Sequence, residues 1–420
     1  MQINEPDTAQ VGMRDTFPVF GTGRAIESVR LDGLANWRRD RSARITPRRS
    51  NHNVYPGLDL LRGFAAISVV GCHVIAHFQV RSFPISSFID SWFRVGWMGV
   101  DLFFVISGFV ITLSALKLFD SSRVDFARSF ARRRLARIVP LHYMTCLFFV
   151  IFLTPALMFS SDFWRKAIAH LLFIHNLSSS TFGSINGPNW SLALEMQFYL
   201  LILLVTPWLR RSRPLPVLAG CVAISWTWRA VMFHLYHGRQ SSFGLDLTWL
   251  TTSQLPGTLD EFGFGIVLAM LLDRDAGGRM SRALQKTRWL WPLAATLLVM
   301  ITMHFFWKNV AIWTNWKMVV FWRALLAATC CSAVIAMCAI NDGWFLTLTT
   351  PLRYIGKISY GIYLWHSLVI TALKPILAQD PARAFLWTLC LTLLLASLSW
   401  HFFEQPVMER FTHKGKRIKG

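Results

Sequence analysis

Arg62 and His73 lie inside one apolar run, from Leu58 to about Phe78, that is long enough to span a bilayer. An ionisable group at membrane depth is costly and points to a functional site. The two residues are 11 positions apart. That is close to three helical turns, so a helix presents both on one side, about 16 Å apart along its axis. One helix then holds a fixed cation near one membrane face and a titratable base deep inside. Imidazole can take a proton from a hydroxyl near neutral pH. The plainer alternative is an arginine that snorkels to lipid phosphate and a histidine bonded to a backbone carbonyl. A second group follows in ARRRLARIVP at 131–140, where Arg134 and Arg137 stand one turn apart beside Arg132 and Arg133. Arginines at a helix N-terminus make a phosphate site, although a basic membrane-flanking loop is expected there in any case.

These groups need a membrane scaffold, and the composition describes one. The 420 residues are 54% hydrophobic and only 15% charged, with a mean hydropathy of +0.41. A net charge of +21 would suggest nucleic acid in a soluble chain. Here the Lys and Arg sit between apolar runs, so they speak for orientation in a membrane and no nucleic-acid partner is expected. The seven cysteines all fall in apolar runs, without a CxxC spacing, and read as small core residues. His175, His234, His237 and His304 are scattered, so no metal is expected. His142 and Tyr143 read as interface anchors, and most of the 19 Trp as interfacial belt residues.

Residues 1–56 hold nine Arg, six acids and no Lys, and read as a basic, disordered cytoplasmic extension. Ten spans are expected after it, at about 58–78, 97–117, 138–158, 190–209, 215–236, 256–272, 289–307, 318–340, 354–374 and 384–403. The run at 167–177 is too short to cross. The fold is therefore read as an all-α membrane bundle over 57–406 with a basic tail over 407–420. Loops on one side, with that tail, carry 21 Lys and Arg and those on the other side eight. This puts both termini in the cytoplasm. At about 1.5 Å per residue, His73, Asp101, Glu195 and His366 fall at one depth in the outer half of the bilayer. Arg229 and Arg323 fall near it too. The expectation is one wet cavity in which acids and bases neutralise each other.

The assembled runs resemble the acyltransferase-3 family of bacterial membrane O-acyltransferases. The matching pieces are LDLLRGFAAISVVGCH (58–73), GWMGVDLFFVISGFVIT (96–112), RRRLARIVPLHY (132–143), NWSLALEMQFY (189–199), LDEFGFGI (259–266), GKISYGIYLWH (356–366) and FFEQP (402–406). They stand in the family's order. One departure is Thr258, where the family often has Arg; Arg239 and Arg229 are the candidate substitutes. The resemblance implies a multi-pass protein of the bacterial inner membrane. It implies transfer of an acyl group, most often acetyl from acetyl-CoA, to a hydroxyl of a carbohydrate or lipid-linked glycan. It further implies a catalytic role for His73 and acyl-CoA contacts for Arg62, Arg134 and Arg137.

The residues suit that chemistry. A base such as His73 takes the hydroxyl proton, and Asp101 or Glu195 could hold its ring in one tautomer. Asn189, Ser191, Tyr199 or Tyr363 could donate to the oxyanion, and Tyr199, Asn189 and His366 are the expected acceptor-site residues. His77, one turn beyond His73, is the second candidate base. A transporter or flippase of a lipid-linked sugar, or a non-catalytic export component, is the competing class, but no internal repeat of the transporter kind is evident. Membrane lipid is an expected partner, and oligomeric state is left open. The charge asymmetry predicts that a reporter fused after Arg211 reads cytoplasmic and one fused near Gly238 reads periplasmic. The reverse at either site overturns the topology.

Overall fold

The computed structural model describes residues 55–80, 86–241, 244–275, 278–308, 315–340, 342–377 and 380–413. The extension expected over 1–56 lies almost wholly outside the described residues, as does the end of the tail over 407–420. The described chain is helical. Among the described residues there is no strand, only an isolated bridge between Gln240 and Asp246.

The first apolar run forms α1 (Gly57–Phe78), followed by the short α2 (Ser87–Arg94) and the long α3 (Met98–Ser121). Then come α4 (Phe126–Phe148), α5 (Phe163–Leu171), α6 (Trp190–Leu209), α7 (Pro214–Tyr236), α8 (Leu247–Thr252) and α9 (Leu255–Asp273). The second half is α10 (Arg279–Lys286), α11 (Leu290–Lys308), α12 (Arg323–Ala339), α13 (Gly343–Leu348), α14 (Thr350–Lys357), α15 (Ser359–Leu377), α16 (Pro381–Ser399) and α17 (Gln405–His413). Among the described residues nine helices are long and apolar enough to cross a membrane. The ninth expected span, 354–374, corresponds to α15. It has 19 residues, but its tyrosines, serines, His366 and Lys374 make it more polar than the other nine.

The third span departs from the expected bounds. It was placed at 138–158, yet the helix begins at Phe126 and the continuous span runs to Leu153. The arginine run therefore lies within α4. Arg134 is eight residues past the helix start, about 12 Å along the axis. A phosphate site built on that helix N-terminus is thus not what the arginines form. They project sideways from the helix body.

Two close approaches set the frame around α1 and α3. A Cβ at Gly265 of α9 would sit 2.2 Å from the Val105 carbonyl oxygen and 2.5 Å from the Phe109 nitrogen, both on α3. Only a residue without Cβ lets these backbones touch. At Gly356 of α14 a Cβ would fall 1.6 Å from the Asp59 carbonyl oxygen of α1. Gly220 of α7, in contrast, has nothing within 4 Å of such a Cβ. Gly356→Ala is expected to destabilise the protein by at least about 1–3 kcal/mol through overpacking. Gly220→Ala should be neutral or slightly stabilising, since Ala is the better helix former. Unfolding of both variants in detergent checks the pair, and equal stabilities would contradict the α1–α14 contact.

Candidate active site

Arg62 on α1 and Arg134 and Arg137 on α4 line one cavity of about 80 Å³. The cavity also takes Ser107 and Phe103 from α3, Glu195 and Tyr199 from α6, and Tyr360 and Tyr363 from α15. Five helical stretches far apart in sequence thus meet where the arginine motifs point. Arg62 is held by Asp59, one turn back on its own helix, at 3.0 Å. The Arg134 guanidinium lies over the Phe130 and Tyr199 rings, each at 5.7 Å. Glu195 accepts from the Tyr199 hydroxyl at 2.7 Å and from Ser107 at 3.4 Å. Among the described residues neither Arg134 nor Arg137 has a carboxylate within ion-pairing distance. Three guanidiniums facing one lining carboxylate, Glu195, leave the cavity suited to an anionic guest.

At the far end Tyr363 donates to the Pro188 carbonyl at 2.9 Å and lies 2.6 Å from the Ser191 hydroxyl. Its ring centroid is 5.7 Å from that of His366. His366 in turn contacts His73, with His366 Nε2 at 3.2 Å from His73 Nδ1. The hydrogen-bond network assigns the tautomers. His366 Nδ1 faces the Ile362 carbonyl at 3.2 Å and so carries its proton there, which leaves a lone pair on Nε2. The His73 Nδ1–H is then shared between that lone pair and the Val69 carbonyl, 3.0 Å away. His73 Nε2 keeps its lone pair. The backbone-carbonyl bond weighed for His73 is therefore present, and it is compatible with a base on the other nitrogen.

The single wet layer expected from depth does not form. The six ionisable groups divide into three sets. His73 pairs with His366, and Glu195 joins the arginine cavity. Asp101 goes elsewhere, to Arg323 at 3.5 Å, and Arg323 Nε bonds Glu261 at 2.5 Å. Beside them Arg229 pairs with Asp260, both fully buried. Neither Asp101 nor Glu195 is the hydrogen-bond partner of His73; a neutral histidine fills that place. Depth along a helix is readable from sequence, but the side of the helix that meets a given neighbour is not. Of the two candidate substitutes at the Thr258 departure, Arg229 reaches α9 at Asp260, two residues on, whereas Arg239 is exposed.

Asn189 is also displaced from its expected place. It does not line the cavity but faces His142 and Cys146. His142, expected at the interface, is fully buried; Tyr143 is half-buried and donates to the Leu171 carbonyl at 2.7 Å, as an anchor would. Tyr360 had no sequence signal of its own. It lies in GKISYGIYLWH and donates to the Ile138 carbonyl of α4 at 2.6 Å.

The acyltransferase domain model matches residues 55–401. The chain belongs to the acyltransferase-3 family. Curated relatives include YrhL of Bacillus subtilis, 28% identical over 85% of this chain and 55% of its own. The peptidoglycan O-acetyltransferase OatA of Listeria monocytogenes is 26% identical over 86% of this chain and 56% of its own. The O-acetyltransferase OatA of Staphylococcus aureus is 28% identical over 84% and 57%. The acyltransferase-3 chain described here thus spans about half the length of the curated relatives it matches. No solved structure matches it.

In this family member the Arg229–Asp260 pair offers a direct test of the buried network. Removing one partner strands a charge in an apolar interior and costs about 3–5 kcal/mol, whereas replacing both with apolar residues can be nearly neutral. Asp260→Leu should therefore unfold at lower temperature than the protein with both Asp260→Leu and Arg229→Met. If the double variant is the less stable of the two, the pair is not the reason these charges persist.

Proposed function

We propose that the protein is a membrane O-acyltransferase that moves an acyl group, acetyl in the first instance, from acyl-CoA to a carbohydrate hydroxyl. The observation that carries this reading is the convergence of Arg62, Arg134 and Arg137 on one cavity whose far end meets Tyr363 beside the His73–His366 pair. Phosphates of CoA suit the arginine end, where planar guanidiniums can bind them in a bidentate way. The axial Arg62–His73 offset of about 16 Å is comparable to an extended pantetheine arm. The charge pattern of the loops supports a cytoplasmic mouth for the arginine end and an outward-facing acceptor side. The names of the relatives make peptidoglycan the first acceptor to try, ahead of lipopolysaccharide and exopolysaccharide sugars.

In this mechanism the acceptor hydroxyl gives its proton to His73 Nε2 as its oxygen attacks the thioester carbon. The resulting imidazolium keeps its Nδ1–H on the His366 lone pair and the Val69 carbonyl. A neutral imidazole thereby does the orienting work expected of a carboxylate. The developing oxyanion takes a hydrogen bond from the Ser191 or Tyr363 hydroxyl, which already lie together. Of the four donors considered from sequence, Tyr199 is engaged with Glu195 and Asn189 faces away. Collapse expels the CoA thiolate, which recovers the proton from His73. Glu195 with Tyr199 stiffens the cavity wall against Arg134.

Purified protein given radiolabelled acetyl-CoA and a glycan acceptor should transfer label. His73→Gln, which retains polarity but not basicity, should lose about 10²–10⁴-fold in rate while CoA binding persists. Arg62→Lys should raise the apparent KM for acyl-CoA more than it lowers kcat, because the planar fork is lost. A fully active His73→Gln variant would rule out the base assignment.

A further inference from the structure

A second chemistry-bearing cluster lies outside the cavity. His142 and Cys146, one turn apart on α4, meet His170 at the end of α5, and one ligand-capable atom from each lies within 4.8 Å of the others. The Cys146 sulfur is 3.9 Å from both ring nitrogens of His142 and 3.9 Å from His170 Nδ1. In a tetrahedral site with metal–sulfur and metal–nitrogen bonds of about 2.3 and 2.0–2.1 Å, neighbouring S and N donors stand about 3.6 Å apart. The sulfur–nitrogen distances need to close by only a few tenths of an ångström, and all three ligand atoms already lie within 4.8 Å of one another. All three are buried.

The hydrogen bonds leave the lone pairs turned inward. His142 Nε2 faces the His170 carbonyl at 3.3 Å, so its proton belongs there and Nδ1 carries the lone pair. His170 Nε2 is engaged by the Ser184 hydroxyl at 3.3 Å, while its Nδ1 is the nitrogen near sulfur. A second partner on the outer nitrogen is the usual setting of a metal-binding histidine. Between the electron-rich atoms sits the Asn189 amide nitrogen, 3.2 Å from His142 Nδ1 and 3.5 Å from the Cys146 sulfur. It supplies partial positive charge where a cation would sit. Its own Oδ1 is buried without a hydrogen-bond partner, although Asn189 is fully enclosed. Rotation of that amide turns the oxygen inward as a fourth ligand. His175, stacked on His170 at 3.9 Å, holds the Asn189 carbonyl at 3.0 Å and fixes the segment.

We propose that His142, Cys146 and His170, with Asn189 as the fourth group, bind a transition-metal ion. One thiolate, two imidazoles and an amide oxygen suit zinc, and copper is the other ion such a set takes. The ion would tie the segment from Phe163 to Asn189 to α4. Pro188, whose carbonyl receives Tyr363, lies in that segment and Ser191 comes just after it, so the site would brace the cavity's far end. This proposal stands whether or not the reaction above is the right one. Sequence spacing hid it, because the ligands come in two pieces 24 residues apart with no repeated interval.

The test uses the full chain in detergent, purified through a tag without histidines, stripped with chelator and titrated with cobalt(II), zinc and copper separately. Cobalt should give a near-ultraviolet thiolate-to-metal band that saturates at one ion per chain. Cys146→Ser should abolish the band, and Asn189→Leu should weaken cobalt affinity about 10–100-fold. Competition by zinc or copper against cobalt decides which ion is preferred. Absence of the band in monodisperse wild-type protein overturns the proposal, as does a band unchanged in Cys146→Ser. If Cys146→Ser is not recovered folded, His170→Gln replaces it, and unaltered cobalt affinity in that variant is equally fatal.

Discussion

The buried ionic groups among the described residues are governed by the cost of holding charge away from water. Arg229 and Asp260 are fully enclosed and survive only as a pair, and Arg323 is shared by Glu261 and Asp101. Where the pairing is incomplete, the structure has a cavity instead. The guanidiniums of Arg134 and Arg137 face open space rather than carboxylates, with the Phe130 and Tyr199 rings providing a low-polarity floor under Arg134. The contrast separates the two kinds of buried charge. Compensated groups fasten α3, α7, α9 and α12 together, and the others line the cavity.

Much of this was legible in the sequence because membrane helices are long, apolar and regular. Eight of the ten expected spans agree with the helices to within a few residues. Arg134 could be grouped with Arg137 because spacing within a helix fixes which face a side chain takes, and the family resemblance added Arg62. The failures have equally physical causes. The start of α4 was misplaced because a run rich in arginine looks like a loop by hydropathy, although arginine is a good helix former. Asp101 was matched to His73 because both lie at one depth, but rotation about the helix axis sends it to Arg323. The His73–His366 contact joins residues 293 positions apart, and only the packing of α1 on α15 creates it.

The segment between α4 and α6 was the least readable. It carries no span, and its polar residues look like an ordinary loop. In the folded chain it is anchored from inside, with Asn186 donating to the Leu364 carbonyl of α15 at 3.0 Å and Gln197 donating to Asn176 at 2.8 Å. Backbone without regular structure can be buried when protein groups satisfy its hydrogen bonds. That explains why so many small polar residues between 175 and 191 are buried.

Each of the two central histidines is moored to the carbonyl four residues before it on its own helix, His73 to Val69 and His366 to Ile362. Neither ring can therefore follow the other if the helices slide. The 3.2 Å gap between them works as a vernier for the relative height of α1 and α15. That height is set about ten residues away, where Gly63 lies against the Leu352 carbonyl and Gly356 against Asp59. The contact between the rings is thus a fine gauge of helix registry: a slide of α1 along α15 lengthens it before either ring has left its own carbonyl.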